Sequence, residues 1–497
     1  MKAHFMGALM HSPGRLRLLT SWRQRLDNRW VVAGAGVVVM LTTGTLYSWA
    51  IFTQPLLIAF HWDVTATTWA YGIANFCLAA IGAVVGGFWQ DRVGPRRVAM
   101  TGVMLWGAGN VAAGLGTAHW GCAWLYVTYG AIGGIGAGMA YITPVSMVTR
   151  WFPERRGLAG GMVAAGFGLG AFIFNQVVSR LEGFRTAARH ASGSLHAMRI
   201  ATAAGRPVDG SAVGSAAFMT PADISAVMHV FTASGLIYLI VGLIAASLFR
   251  NPTQTDGARE PHVPQPALPG LAPRQVIRSP LFYLLWLQLF INVIAGITVI
   301  SNALLILHEL TRVPSGNLAA PFGLISLCNA IGRLLWGAVS DRIGCQSTFA
   351  AMFVVQAVVL YWLTDVHDLP LALAGLSVIL LCCGGGFGVM PAYNAECFGT
   401  RSMGLNYGLI LSAWGFAGLV GPLVVARAKD LTGSFTGMLP VIATLLLLSL
   451  ILPWLTHQSR RAHRLESHPR LGVGPEQCGT DQKLLEGEAV QIHSASA

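Results

Sequence analysis

Long apolar stretches recur along this chain, set apart by short polar loops. A helix rising 1.5 Å per residue needs about 20 apolar residues to cross roughly 30 Å of hydrocarbon. Stretches of about this length lie near 30–57, 68–90, 98–117, 121–149, 158–179, 226–249, 281–308, 317–339, 347–364, 370–394, 405–426 and 435–455. The pattern predicts an all-α membrane protein of about 12 transmembrane helices. An even number of crossings puts both termini on one side.

Loop charge says which side. Arg92, Arg96 and Arg97, then Arg150, Arg155 and Arg156, then Arg250, Arg259, Arg274 and Arg278 fall in alternate loops, together with Arg15, Arg17, Arg23, Arg25 and Arg29 near the N-terminus. Basic loops stay in the cytoplasm, so both termini are expected there and the chain in an inner (plasma) membrane. Opposite loops hold few basic residues and include Asp63, Asp365 and Asp368. One stretch breaks the rule. The segment at about 180–225, external by the count of crossings, carries Arg180, Arg185, Arg189, Arg199 and Arg206 among Ala, Gly and Ser. Its composition reads as a solvated or partly disordered insertion, and the crossing pattern gives no account of its charge.

The expected organisation follows: a cytoplasmic basic leader (1–29), an N-terminal six-helix bundle (30–250) with the external insertion, a proline-rich cytoplasmic linker (251–280), a C-terminal six-helix bundle (281–455) and a polar cytoplasmic tail (456–497). The leader has no apolar core before Trp30, so the first apolar run reads as a spanning helix and not a cleaved signal peptide.

Composition agrees. The chain is 54% hydrophobic and 10% charged, with mean hydropathy +0.59; soluble domains carry roughly 25% charged residues. The net charge of +12 would suggest nucleic acid in a soluble protein, but here it belongs to loops that meet anionic headgroups. Cys77, Cys328, Cys382 and Cys383 lie inside apolar runs, without the spacing of a disulfide framework or a metal site. No Walker loop, zinc spacing or nucleophile elbow is present, so neither an enzyme nor a cofactor is expected.

Two loops repeat across the halves. Gly87, Asp91, Arg92, Gly94, Arg96 and Arg97 follow the second crossing, and Gly337, Asp341, Arg342 and Gly344 follow the eighth in the same spacing. A second pair agrees: Trp151-Phe152-Pro153-Glu154-Arg155-Arg156-Gly157 after the fourth crossing, and Glu396 with Cys397-Phe398-Gly399-Thr400-Arg401 after the tenth. Glycine permits close helix approach, Asp suits a helix N-terminus, and Arg reaches carboxylates at neighbouring helix ends. These residues are candidates for a seal that closes the cytoplasmic side. Parallel six-helix repeats mark one large class of transporter fold.

The G-x-x-x-D-R-x-G-x-R-R loop resembles the major facilitator signature, and finer features resemble its oxalate/formate antiporter family. These are Gly44-Thr-Leu-Tyr47-Ser48-Trp49 with Pro55, Gly136-Ala-Gly138-Met-Ala-Tyr141 running into Arg150, Asn329-Ala-Ile-Gly332-Arg333-Leu-Leu-Trp336-Gly337, Ser279-Pro280 and Asn406-Tyr407-Gly408. The resemblance implies two six-helix bundles around a central cavity that opens to either face in turn. It also implies secondary transport of small organic anions, by exchange or in symport with a proton, by a chain expected to function as a monomer, with an oxalate/formate antiporter proper as one alternative. Efflux of hydrophobic compounds on the same fold and a membrane metabolite sensor are the competing readings. The first leaves Arg333 without a role, and the second lacks a folded cytoplasmic domain in so polar a tail.

Arg333 stands out because it lies inside an apolar crossing, where an arginine costs roughly 2.5–3.5 kcal/mol to insert. One turn earlier is the neutral Asn329, and no Asp or Glu stands mid-crossing. An unpaired guanidinium suits a carboxylate, which accepts two charge-assisted hydrogen bonds from its fork; the alternative is that it snorkels to the interface beside Asp341. Family resemblance puts Tyr47 and Tyr141 around the bound anion. It also exposes departures. Oxalate-carrying members have a lysine where this chain has Trp414, and cage aromatics where it has Cys383 and Phe387. A two-cation site for a dianion is therefore absent, and the substrate expected is a monocarboxylate of the formate, pyruvate or lactate type.

Overall fold

The computed structural model describes residues 28–62, 64–203, 219–252, 270–311, 319–432 and 437–467. The leader to residue 27, Asp63, Arg206, Arg259 and the tail beyond 467 lie outside the described residues. Among the described residues every regular element is helical.

The first crossing is α1 (Arg29–Gly44), a tight turn at Thr45–Ser48 and α2 (Ala50–Phe60), which is bent by Pro55 inside it. The second is α3 (Val64–Phe76), a widened turn and α4 (Ala83–Val93). α5 (Pro95–Leu125) folds back at Gly121, whose φ of 69° glycine alone adopts readily, and so supplies the third crossing and the start of the fourth. α6 (Gly134–Trp151) completes the fourth and α7 (Arg156–Val178) is the fifth. α8 (Glu182–Ala203) precedes α9 (Pro221–Ser247), the sixth. After α10 (Pro273–Arg278) come α11 (Pro280–Thr311), α12 (Ala319–Ile343), α13 (Cys345–Leu363), α14 (Leu369–Phe398) and α15 (Met403–Thr432). The last crossing is α16 (Met438–Leu448) continued by α17 (Ile451–Ser467).

Ten continuous helical runs among the described residues are long and apolar enough to cross a membrane. The Pro95–Trp151 run turns back at Gly121 and counts twice, and α12 adds the crossing that carries Arg333, which together reproduce the twelve expected. Side chains such as Leu115, Ile240, Ile244, Val358 and Leu448 stand exposed on the outer helix faces, where lipid takes the place of a protein neighbour.

Residues 204–218 of the insertion lie outside the described residues; the part before them is helical and not a solvated or disordered segment. Residues 182–203 form α8, with Phe184, Ala187, Ala191 and Ser194 buried along one face. Those four sit three or four apart, the helical spacing of an apolar stripe, which the abundance of Ala, Gly and Ser concealed. Phe184 meets Phe52 of α2 edge-on at 5.7 Å. At the foot of α9 a capping box links Thr220 and Asp223, and Asp223 also bonds His190 of α8 at 2.8 Å.

Two seams join the halves at the end where the repeated loops lie. At one, α4 crosses α15 so closely that a Cβ at Gly87 would stand 2.2 Å from the carbonyl oxygen of Gly404. Asp91 there accepts hydrogen bonds from the backbone N–H groups of Gly404 (3.2 Å) and Leu405 (2.9 Å), and from Arg150 at 2.8 Å. At the other, α12 crosses α7: a Cβ at Gly337 would stand 2.4 Å from the Gly157 carbonyl oxygen. Asp341 accepts from the N–H groups of Gly157 and Leu158, both at 2.8 Å. Each aspartate thus caps the first turn of a helix from the opposite half, where the dipole favours negative charge. Gly94 and Gly344 end the two loops at φ 89° and 84°, with open space where a Cβ would lie, so conformation and not crowding asks for glycine there.

Close backbone approach makes the seams intolerant of added volume. Gly87→Ala forces a Cβ against a carbonyl that cannot rotate away, and overpacking of this kind costs about 1–3 kcal/mol. Thermal unfolding in detergent should show the midpoint fall by several degrees for Gly87→Ala and stay unchanged for Gly34→Ala, whose Cβ would meet nothing within 4 Å.

Candidate functional site

Arg333 lies where three helices meet. Cβ atoms at Gly161 of α7 and Gly388 of α14 would stand 2.2 and 2.1 Å from its carbonyl oxygen, so at this residue α12 is clamped between a helix of the first half and one of its own. One turn earlier, Gly384 approaches the Asn329 carbonyl in the same way. Small residues at each crossing are what let helix backbones touch inside a membrane.

The guanidinium is fully buried, which excludes snorkelling to the interface. Its Nη1 donates to the carbonyl of Ala164 at 3.0 Å, across the seam on α7, and its Nη2 donates to Asn329 Oδ1 at 3.3 Å. Asn329 in turn donates to the Leu380 carbonyl at 3.4 Å, which fixes the face it offers to Arg333. Among the described residues Arg333 has no carboxylate partner, and its Nε has no acceptor.

Aromatic rings enclose the charge. Phe387 lies 4.8 Å and Phe167 5.3 Å from the guanidinium carbon, within cation–π range. Trp414 sits at the hub of the cage, with ring centroids 5.0 Å from Phe387, 5.6 Å from Tyr141, 5.7 Å from Phe167 and 5.8 Å from Tyr47. Phe167 also contacts Tyr47 at 4.9 Å and Tyr141 at 5.4 Å. Around Arg333 the buried Trp414 Nε1 lacks a hydrogen-bond partner, and the hydroxyls of Tyr141 and Tyr407 form no well-aligned hydrogen bond, although Tyr141 interacts with both Tyr407 and Arg333. Buried polar groups are rarely left so, and two unmatched donors in one cage, Arg333 Nε and Trp414 Nε1, beside two hydroxyls free to donate, suit an anionic guest.

The six residues singled out from sequence around this site, Arg333, Asn329, Tyr47, Tyr141, Trp414 and Phe387, come together. Phe167 and Tyr407 were not singled out. Phe167 is the one aromatic side chain in the Gly166–Gly170 run, and a ring in an apolar run gave no sign of a role. Tyr407 stood in the Asn406-Tyr407-Gly408 motif with no role attached. Cys383 faces the seventh crossing, its Sγ 2.0 Å from where a Cβ at Gly296 would be.

The residues proposed for the seal divide into two groups. Gly87, Asp91, Gly337 and Asp341 make the seams. Glu154 pairs with Arg29, and Glu396 with Arg460 of α17 at 3.1 Å. Arg92 lies over the Phe88 ring, 3.8 Å from its centroid, and Arg97, Arg155, Arg342 and Arg401 have no carboxylate partner among the described residues. The arginine that reaches Asp91 is Arg150, in the last turn of α6.

Both halves are matched by known proteins. The family model described as Major Facilitator Superfamily matches residues 31–179, 207–422 and 302–478. The chain is 27% identical over 399 residues to the oxalate:formate antiporter of Oxalobacter formigenes, covering 80% of this chain and 84% of that protein. It is 26% identical over 434 residues to apicoplast pyruvate carrier 1 of Toxoplasma gondii, covering 79% and 76%. The solved structure of the human organic anion transporter MFSD10 superposes with a TM-score of 0.59 at 15% identity, covering 86% of this chain and 99% of that one. With its two capped seams, its paired six-helix halves and a family match over most of its length, this chain belongs to the major facilitator superfamily.

Proposed function

We propose that this chain is a secondary transporter of small monocarboxylates, which it binds at Arg333 and carries by exchange between two alternately open states. The observation that carries the reading is a fully buried guanidinium without a carboxylate partner among the described residues, inside a cage where the Trp414 indole N–H and the Tyr141 and Tyr407 hydroxyls can all donate. A carboxylate there takes hydrogen bonds from the guanidinium and from Tyr141, Tyr407 or Trp414, and the rings exclude water from the pair. The relatives named for oxalate, formate and pyruvate support small organic anions as the substrate class. Asn329 holds the fork in place and cannot titrate, which favours exchange over proton coupling. Basic loops put the capped seams at the cytoplasmic face of an inner membrane, and the six-helix halves suffice as a monomer.

Loss of the guanidinium should abolish binding. Arg333→Ala should lower carboxylate uptake into proteoliposomes by at least about 100-fold while the protein still inserts, since a charged hydrogen-bonded pair left half-made costs about 3–5 kcal/mol. Arg333→Lys should recover only part, for want of a planar fork. Normal uptake by the Ala variant would remove Arg333 from the site.

Trp414 decides valence. A second carboxylate brought against its indole meets a ring and no cation, and loses several kcal/mol of hydration. Competition against a labelled monoacid should therefore rank formate, lactate and pyruvate above oxalate, and Trp414→Lys should move the ranking toward oxalate. Stronger competition by oxalate in the wild type would overturn the one-cation reading.

Asp91 and Asp341 act on the seal. Each ties a helix end of one half to the other, so Asp91→Asn loses the Arg150 pair and weakens the cap by about 1.5–3 kcal/mol. Thiol labelling of a cysteine introduced at the cytoplasmic end of the cavity should rise roughly tenfold or more, by that same free-energy difference. Unchanged labelling in a transport-impaired variant would assign these aspartates another role.

A further inference from the structure

The charge on α8 breaks the rule that orients the rest of the chain, and transport at Arg333 makes no use of it. Its geometry shows where it lies. α7 has 23 residues and spans about 34 Å from its Asp341-bound end, enough to cross the hydrocarbon. Ile173, Val177 and Leu181 follow at intervals of four and are 44%, 54% and 47% exposed, a stripe that faces lipid chains up to the far boundary. There the chain turns at Ser179–Leu181 and α8 begins. α8 buries Phe184, Ala187, Ala191 and Ser194 and leaves Arg185 and Arg189, one turn apart, on its exposed face; Arg180 is exposed in the turn. None of the three has a carboxylate partner among the described residues; the described acids near them are the exposed Glu182 and the buried Asp223, which is taken up by His190 and Thr220.

We infer that Arg180, Arg185 and Arg189 form a site for the headgroup of an anionic phospholipid in the outer leaflet. The stripe on α7 supplies the surface for its acyl chains, and the guanidinium groups just beyond it stand at the depth of its phosphate. Guanidinium forks match phosphate oxygens in charge and geometry. A free anion guided toward the central site would need these arginines on the helices that surround Arg333, whereas α8 packs chiefly on α2 and α9. The helix is fastened to both, by Ser192 donating to Gln54 at 3.2 Å and by the His190–Asp223 bond. A lipid held on α8 therefore bears on the outer part of the first crossing, which carries Tyr47 one turn before α2.

The test is native mass spectrometry of the full-length protein released from vesicles of phosphatidylglycerol mixed with phosphatidylcholine. Wild type should retain at least one phosphatidylglycerol more than a variant carrying Arg180→Gln, Arg185→Gln and Arg189→Gln, with selectivity falling about fivefold per arginine removed. The corresponding triple Lys variant should keep most of it, which separates loss of charge from loss of fold. Equal retention of phosphatidylglycerol by wild type and the Gln variant overturns the site. So does displacement of the lipid by millimolar inorganic phosphate, or a raised KM for carboxylate uptake in pure phosphatidylcholine vesicles with retention unchanged, because either would assign the arginines to free anions.

Discussion

A guanidinium at the middle of a membrane must be given acceptors or it will not stay there, and around Arg333 the acceptors come from backbone that glycine brings close. Gly161, Gly384 and Gly388 let α7 and α14 touch α12 at the residue that bears the charge and at the turn before it. The contact with α7 delivers the Ala164 carbonyl to Nη1, and Asn329 takes Nη2. Because Ala164 belongs to the first half and Arg333 to the second, the bond that accommodates the charge is also a bond across the seam. On the proposed reading, binding chemistry and the fit between the halves thus rest on the same few atoms.

Farther down the same seams, the repeat shows both its symmetry and its limit. Asp91 and Asp341 cap helices of the opposite half in matching geometry. Arg150 completes the first cap, but the corresponding position in the second half is Glu396, which cannot serve Asp341. Glu396 instead binds Arg460 and accepts the Cys345 thiol at 3.1 Å, tying α17 to the ends of α13 and α14. The first seam therefore carries an ion pair that the second lacks, and the charge of the second half is spent on holding its own last helix.

The crossings were legible because lipid imposes one rule on every segment: about 20 apolar residues, all backbone bonds internal. Arg333 was legible for the opposite reason, as the exception that rule makes expensive. Phe167 was not, since a phenylalanine in an apolar run has no cost to betray it and only its three-dimensional company gives it a place in the cage. Arg150, the partner of Asp91, was not among the residues singled out for the seal, because the carboxylate looks across the bundle to the end of α6 and away from its neighbours in sequence. α8 was missed for a related reason. Alanine and serine bury as well as leucine where helices pack closely, yet a hydropathy pattern weighs them lightly.

On the proposed reading, the choice of neutral acceptors around Arg333 also bears on coupling. When no carboxylate is bound, the groups that can take the guanidinium's hydrogen bonds are the Ala164 carbonyl and the Asn329 amide, neither of which carries charge. A charged acceptor roughly doubles the strength of such a bond. The rearrangement between the two open states has to move α7 relative to α12, and so to disturb the Ala164 bond. With a carboxylate bound, the guanidinium keeps its stronger acceptor throughout; without one, it must loosen one of two weaker bonds in a dry cage. The loaded carrier therefore crosses over a lower barrier than the unloaded one, and a barrier of that kind makes net flux slow and exchange fast. No titrating group is needed for that outcome. It follows from one buried cation, two neutral acceptors and the position of one of them on the far side of the seam.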